Sequence, residues 1–178
     1  MRTTRNAVFE TNSSSMHCFV VAPKDDFQKF IDGELFASEK SYKCWGDTPL
    51  ITMDEVYEKY LNFCKEFRRD DTPVSKELLK KIMVEYDKFV SDDSDTELDW
   101  DKVISAEWPE AVRTELDASG ETLLWTVECF LDMQYAPISY RMAEFLTAGF
   151  TMEYDDYVCV GPEECPDGTV KMHAVWYG

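Results

Sequence analysis

Residues 52–69 read TMDEVYEKYLNFCKEFRR and carry the clearest structural signal in the chain. Thr52 and Glu55 form a capping box, in which the threonine hydroxyl accepts from the backbone of Glu55 and the glutamate carboxylate reaches back. After this cap, apolar side chains recur at helical spacing and therefore share one helix face. They are Val56, Tyr60, Cys64 and Phe67. The pattern predicts a helix to about Arg69 that packs against a core.

A second long helix is predicted on the C-terminal side of this one. Thr72-Pro73 interrupts the chain, and Ser75 caps a helix that runs to about Val90. Its apolar stripe consists of Leu79, Ile82, Met83, Tyr86 and either Phe89 or Val90. Shorter helices are predicted at 25–31, 109–117, 121–133 and 139–147, with Gly120 ending the second of these and Gly149 the last. The middle of the chain is therefore expected to be helical.

Strand patterns occur at both ends. Residues 7–11 and 17–22 are rich in strand formers, and residues 150–160 and 170–176 flank a turn containing glycine and proline. Terminal strands around central helices predict an α+β fold. We expect an antiparallel sheet, formed by the N-terminal strands and a C-terminal hairpin and packed against several helices. The length of 178 residues suits a single domain over 1–178.

The charge is unevenly distributed. The chain has 36 acidic and 18 basic residues, a net charge of −18 that excludes nonspecific coating of nucleic acid. Residues 1–84 carry 14 acidic and 13 basic side chains, whereas residues 85–167 carry 22 and 4. The densest acidic run comprises Asp92, Asp93, Asp95, Glu97, Asp99 and Asp101. This acidic half is either a solvated surface or an imitation of nucleic acid that docks in a basic groove through Asp92, Asp93 and Asp95.

Several features together predict a cytoplasmic protein. No apolar run is long enough to span a membrane, and the basic start leads into polar residues, unlike a secretion signal. The six cysteines show neither C-x-x-C nor zinc-finger spacing. Cys64 and Cys129 fall in apolar periodic stretches and are interpreted as core residues. We expect no metal and no other cofactor.

One polar segment concentrates groups capable of chemistry. Residues 5–17 read RNAVFETNSSSMH, and His17 is one of two histidines in the chain. If residues 12–15 turn the chain back, Glu10 and His17 meet across a hairpin, where a carboxylate can orient an imidazole for proton transfer. His173, on the last predicted strand, could approach the same sheet. The competing interpretation is structural: the serines satisfy a turn, and His17 is a buried strand residue.

The string Val8-Phe9-Glu10-Thr11-Asn12-Ser13-Ser14-Ser15-Met16-His17, preceded by Arg5, resembles the F-E-T-N-S-S-S-x-H signature of small proteins from phages and mobile elements of Gram-positive bacteria. That group is similar to a type II-A anti-CRISPR inhibitor of Cas9 that cuts the guide RNA. The resemblance implies that Glu10, Ser14 and His17 are catalytic. It also implies that Thr11 belongs to the same site and that Asn12, Ser13 and Ser15 bind the RNA. The nearby arginines Arg2 and Arg5 are predicted to bind it as well.

Resemblance and charge together lead to one hypothesis and two alternatives. The hypothesis is that the acidic half docks on a Cas9 nuclease in a bacterial cytoplasm while the N-terminal segment cleaves the bound guide RNA. The first alternative is a non-enzymatic acidic mimic that blocks the basic groove of a partner. The second is a phage protein of structural or regulatory role, in which the signature is only a folding element.

Overall fold

A computed structural model of the chain describes residues 15–39, 48–67, 73–90, 98–133, 136–148 and 162–177. In these ranges five strands and seven helices follow one another. The strands are β1 (Ser15–Pro23), β2 (Leu35–Ala37), β3 (Leu50–Thr52), β4 (Glu163–Glu164) and β5 (Thr169–Tyr177). The helices are α1 (Lys24–Ile31), α2 (Met53–Phe67), α3 (Lys76–Val84), α4 (Tyr86–Phe89), α5 (Trp100–Ser105), α6 (Glu110–Asp132) and α7 (Tyr140–Ala148).

The main sheet joins the two ends of the described chain. Its strand order is β1-β5-β4, and both pairings are antiparallel. β1 pairs with β5 over its whole length, from Ser15 opposite Tyr177 to Pro23 opposite Thr169. The α+β fold and a sheet built from an N-terminal strand and a C-terminal hairpin are thus confirmed. The predicted strand at 7–11 lies outside the described residues.

A tight turn joins β4 to β5. Gly168 has a φ of 84°, a left-handed conformation that glycine adopts without a steric penalty. The Asp167 carboxylate accepts hydrogen bonds from the hydroxyl of Thr169 at 2.7 Å and from its backbone N–H at 3.0 Å, and these bonds hold the Asp167 pKa below its usual range. The strand β4 lies in the stretch that was predicted to be a turn, so the prediction is wrong for these two residues. The predicted strand 150–160 lies outside the described residues.

The capping box at the start of α2 is confirmed. The backbone N–H and the hydroxyl of Thr52 each donate to the Glu55 carboxylate at 2.8 Å, and the Glu55 N–H donates to the Thr52 hydroxyl at 3.4 Å. The two bonds from Thr52 hold the pKa of Glu55 below its usual range. Val56, Tyr60 and Cys64 are buried as expected. A short ribbon of β2 and β3, which the sequence pattern did not predict, leads into this helix.

The second predicted long helix is divided in two. Ser75 caps α3 by accepting from the Leu78 N–H at 3.3 Å, as expected. The helix then breaks at Glu85, whose φ of −108° and ψ of 27° are not helical. The whole predicted stripe is nevertheless buried, because α4 continues on the same side. Leu79, Ile82, Met83 and Tyr86 are buried, and so are both alternatives for the last member, Phe89 and Val90.

The two helices predicted at 109–117 and 121–133 form one continuous helix, α6. A glycine inside a helix costs about 1 kcal/mol relative to alanine. That penalty is outweighed here, because Leu116 and Leu124 on either side of Gly120 are both buried and each contributes roughly 1.5–3 kcal/mol. In the part of the chain that the structure describes, no helix, α6 included, combines the length and the apolar character needed to cross a membrane.

Helix α5 lies at the end of the acidic run, in a segment for which no helix was predicted. Asp99, counted in the acidic run, caps it by accepting from the Lys102 backbone at 3.1 Å. Val103, a residue of this helix, is fully buried. Local capping and a single apolar anchor thus form a helix of six residues, which periodicity over so few residues does not detect.

Ser139 links α7 to the end of α3. Its hydroxyl donates to the carbonyl of Met83 and accepts from the Met142 N–H at 3.1 Å, and the residue is only 1% exposed. Met83 is among the last residues of α3, whose carbonyls have no partner within the helix. The serine therefore provides a buried polar joint between two helices.

We expect Ser139→Ala to lower the free energy of unfolding by about 1–3 kcal/mol, because a buried carbonyl then loses a donor. Urea denaturation measures the change. Ser105→Ala is the matched control, since its hydroxyl bonds Asp101 O at 2.6 Å on the exposed surface. The control should change stability by less than about 0.5 kcal/mol. Equal losses in the two variants would contradict the role assigned to Ser139.

Candidate active site

The structure describes only part of the predicted active site. His17 lies in β1, and Ser15 is the first residue of that strand. The other predicted catalytic and RNA-binding residues lie outside the described ranges, as do the predicted docking residues. These are Arg2, Arg5, Glu10, Asn12, Ser13, Ser14, Asp92, Asp93 and Asp95. The meeting of Glu10 with His17 therefore stays a prediction.

The strand register brings both histidines of the chain to neighbouring positions. His17 of β1 is opposite Val175 of β5, and His173 is opposite Phe19. Residues that face each other directly share a side of the sheet, and so do residues two apart along one strand. Positions 17 and 173 therefore fall on the same side of adjacent strands, diagonally across from each other.

The buried residues of β1 and β5 show which side of the sheet faces the core. Val20 and Ala22 of β1 are buried, and so are their partners Met172 and Val170 in β5. Positions 17 and 173 have the opposite parity in each strand and so belong to the face away from the core. Val21 and Lys171, a directly opposed pair on this second face, are only half-buried. The histidine positions thus lie on the outer face of the main sheet.

Core burial also fixes the register on which this placement depends. A slip of one residue would move Val20 and Ala22 out of the core and exchange the two faces of β1. The stretch Cys18-Phe19-Val20-Val21 favours a strand through its aromatic and β-branched residues. The alignment of positions 17 and 173 is therefore held by apolar packing on the other side of the sheet.

The charges described around this sheet are largely paired. Lys171 lies on the outer face, two residues from His173, and its Nζ is 3.3 Å from a Glu163 carboxylate oxygen on β4. Lys24, which follows β1, contacts Glu164 at 2.5 Å, and that hydrogen bond raises the Lys24 pKa. Both pairs are substantially exposed, so each contributes little to stability. They also leave little unpaired positive charge among the described residues of the sheet to attract a phosphate.

The described residues provide no metal-binding cluster, and Cys64 and Cys129 both belong to the core region. Nowhere in the described ranges do three or more His, Cys, Asp or Glu side chains come together as a group that could hold a metal ion. Cys64 is buried in the core, and Cys129 is partly buried against it. Their interpretation as core residues is confirmed for Cys64 and holds in part for Cys129.

Comparison with family models found no match, and neither the curated proteins nor the solved structures yielded one. Sequence reasoning singled out His17 by its place in the polar segment and left the position of His173 open. The missing information was the β1–β5 register. That register depends on contacts between residues far apart in the chain and cannot be inferred from local patterns.

Proposed function

We propose that the chain is an anti-CRISPR-type endoribonuclease that inhibits a Cas9 nuclease by cleaving its bound guide RNA. The proposal is supported by the position of His17. This histidine closes the polar signature segment and lies at a register position on the outer face of the main sheet. A histidine on a strand beside a polar segment is suited to proton transfer near neutral pH.

The reaction is a transesterification within the RNA. The 2′-oxygen attacks the adjacent phosphorus, its proton passes to a base, and the bond from phosphorus to the 5′-oxygen breaks as an acid protonates that oxygen. His17 and Glu10 are the candidate base and acid, and Arg2 or Arg5 stabilises the charged phosphorane. The products are a 2′,3′-cyclic phosphate and a 5′-hydroxyl, and the chemistry needs no metal ion.

The partner explains how so acidic a chain acts on RNA. With a net charge of −18 the chain repels free RNA. A basic groove on Cas9 attracts residues 85–167 and already holds the guide, so that the nuclease supplies the affinity for phosphate. Cleavage of the guide should therefore depend on Cas9.

A denaturing gel of end-labelled guide RNA tests this function. We expect the chain to cleave guide RNA bound to Cas9 at a rate at least about 10-fold above that of free guide, because electrostatic repulsion slows encounter with free RNA. Cleavage should persist in EDTA and leave a cyclic phosphate end. A guide that stays full length in both samples would contradict the proposal, as would complete loss of cleavage in EDTA.

The acidic half favours a second candidate, a non-enzymatic mimic of nucleic acid. Residues 85–167 carry 22 acidic and 4 basic side chains, enough for tight docking in a basic groove without any chemistry. Inhibition by such a mimic disappears when Asp92, Asp93 and Asp95 are changed to lysine, and it survives His17→Ala with the guide intact. A purely structural role predicts that His17→Ala lowers the melting temperature and that the native chain affects neither Cas9 nor RNA.

A further inference from the structure

We propose that His173 is the second proton-transfer residue and that it acts with His17 on the same phosphodiester. The inference rests on the proposed ribonuclease function and names the group that completes it. Positions 17 and 173 are diagonal neighbours on the outer face of two paired strands. The chain contains two histidines in all, and these two register positions are theirs.

The diagonal spacing suits an in-line displacement at phosphorus. Diagonal neighbours in an antiparallel pair lie roughly 7–8 Å apart, compared with roughly 4.5–5.5 Å for directly opposed residues. The attacking and leaving oxygens lie on opposite sides of the phosphorus atom, and each needs a proton carrier at roughly 2.6–3.2 Å. Carriers on opposite sides of one phosphorus atom are farther apart than the two oxygens they serve, and diagonal positions are more widely spaced than directly opposed ones.

The two histidines alone account for both proton transfers of the reaction. One imidazole is neutral and takes the proton of the 2′-hydroxyl as the oxygen–phosphorus bond forms. The other is protonated and gives its proton to the 5′-oxygen as that bond to phosphorus breaks. Exchange with water then restores both protonation states. In this pair, His173 takes the acid or base role for which Glu10 was the candidate above.

The first test compares cleavage of Cas9-bound guide RNA by the native chain and by His173→Gln. We expect a loss of at least about 100-fold, the lower end of the contribution of one general acid or base. Lys171→Gln is the matched control, because it lies on the same strand and the same face and is engaged with Glu163. The control should stay within about threefold of the native rate, and equal melting temperatures of the variants show that the fold is kept.

A second test assigns the roles and separates acid–base chemistry from simple binding. In a guide whose 5′-oxygen at the cleaved linkage is replaced by sulfur, the thiolate leaves without protonation. This guide should restore near-native cleavage to one of His17→Gln and His173→Gln, the one lacking the acid, and leave the other slow. If the sulfur-substituted guide restored cleavage to both variants, or to neither, the proposed acid–base pair of His17 and His173 would be wrong.

The outcomes distinguish the pair from the function on which it rests. If the native chain leaves bound guide intact, the ribonuclease function and the pair are both wrong. If the native chain cleaves and His173→Gln cleaves within threefold of it, only the pair is wrong. Loss of cleavage in His173→Gln, with sulfur rescue confined to one of the two variants, supports both.

Discussion

Replacement of His17 by glutamine is expected to reduce cleavage of Cas9-bound guide RNA by about 100- to 10,000-fold. This range is the usual contribution of one general acid or base, and it corresponds to about 2.7–5.5 kcal/mol of transition-state stabilisation. Glutamine keeps a polar side chain of similar reach but cannot exchange a proton near neutral pH. Single-turnover cleavage with excess protein measures the chemical step.

The matched control is Val21→Thr. Val21 lies on the same strand and, by parity, on the same face as His17, and it is half-buried. Threonine is nearly identical in shape and also favours strands, so this variant should cleave within about threefold of the native rate. Retained binding of His17→Gln to the Cas9–guide complex would show that only chemistry is lost. Unchanged cleavage by His17→Gln would eliminate the proposed active site.

Phe130→Ala should lower the free energy of unfolding by about 3–5 kcal/mol. The Phe130 side chain is 1% exposed, and its ring centre is 5.2 Å from that of Tyr60 and 5.6 Å from that of Phe63. Truncation leaves a cavity where α6 meets α2 and removes two aromatic contacts. A domain is commonly stable by only 5–15 kcal/mol, so this loss is a large fraction of the total.

Urea denaturation of Trp125→Ala provides the comparison. Trp125 is on the same helix, but its side chain is 46% exposed, so that truncation leaves no closed cavity. We expect this variant to lose less than half of what Phe130→Ala loses. Similar losses at the two positions would show that α6 is not anchored to α2 through Phe130.

Local signals predicted the central helices well. The capping box at Thr52 and the cap at Ser75 are interactions within four residues, so the chain carries them regardless of tertiary context. The prediction of two separate helices around Gly120 was wrong for the opposite reason. The helix penalty of this glycine is local, whereas the burial of Leu116 and Leu124 that outweighs it comes from packing against other elements.

Short and nonlocal features were beyond the reach of sequence patterns. β2 and β3 have three residues each, too few to show an alternation. The break at Glu85 coincides with a tertiary contact, because Ser139 binds the carbonyl of Met83 near the end of α3. The candidate site was predicted in the same uneven way: the polar segment around His17 was visible in the sequence, and the neighbouring position of His173 was not.

The pairing of β1 with β5 has a consequence for folding on the ribosome. The nearest partners, Pro23 and Thr169, are separated by about 150 residues, and translation proceeds at roughly 5–20 residues per second. β1 therefore waits about 8–30 seconds after its synthesis before its partner strand exists. During that interval the α2–α6 core can form from nearby segments, while the edge of β1 stays open to unwanted pairing. Assembly of the main sheet thus waits for β5, and a nascent chain stalled before residue 169 would lack it.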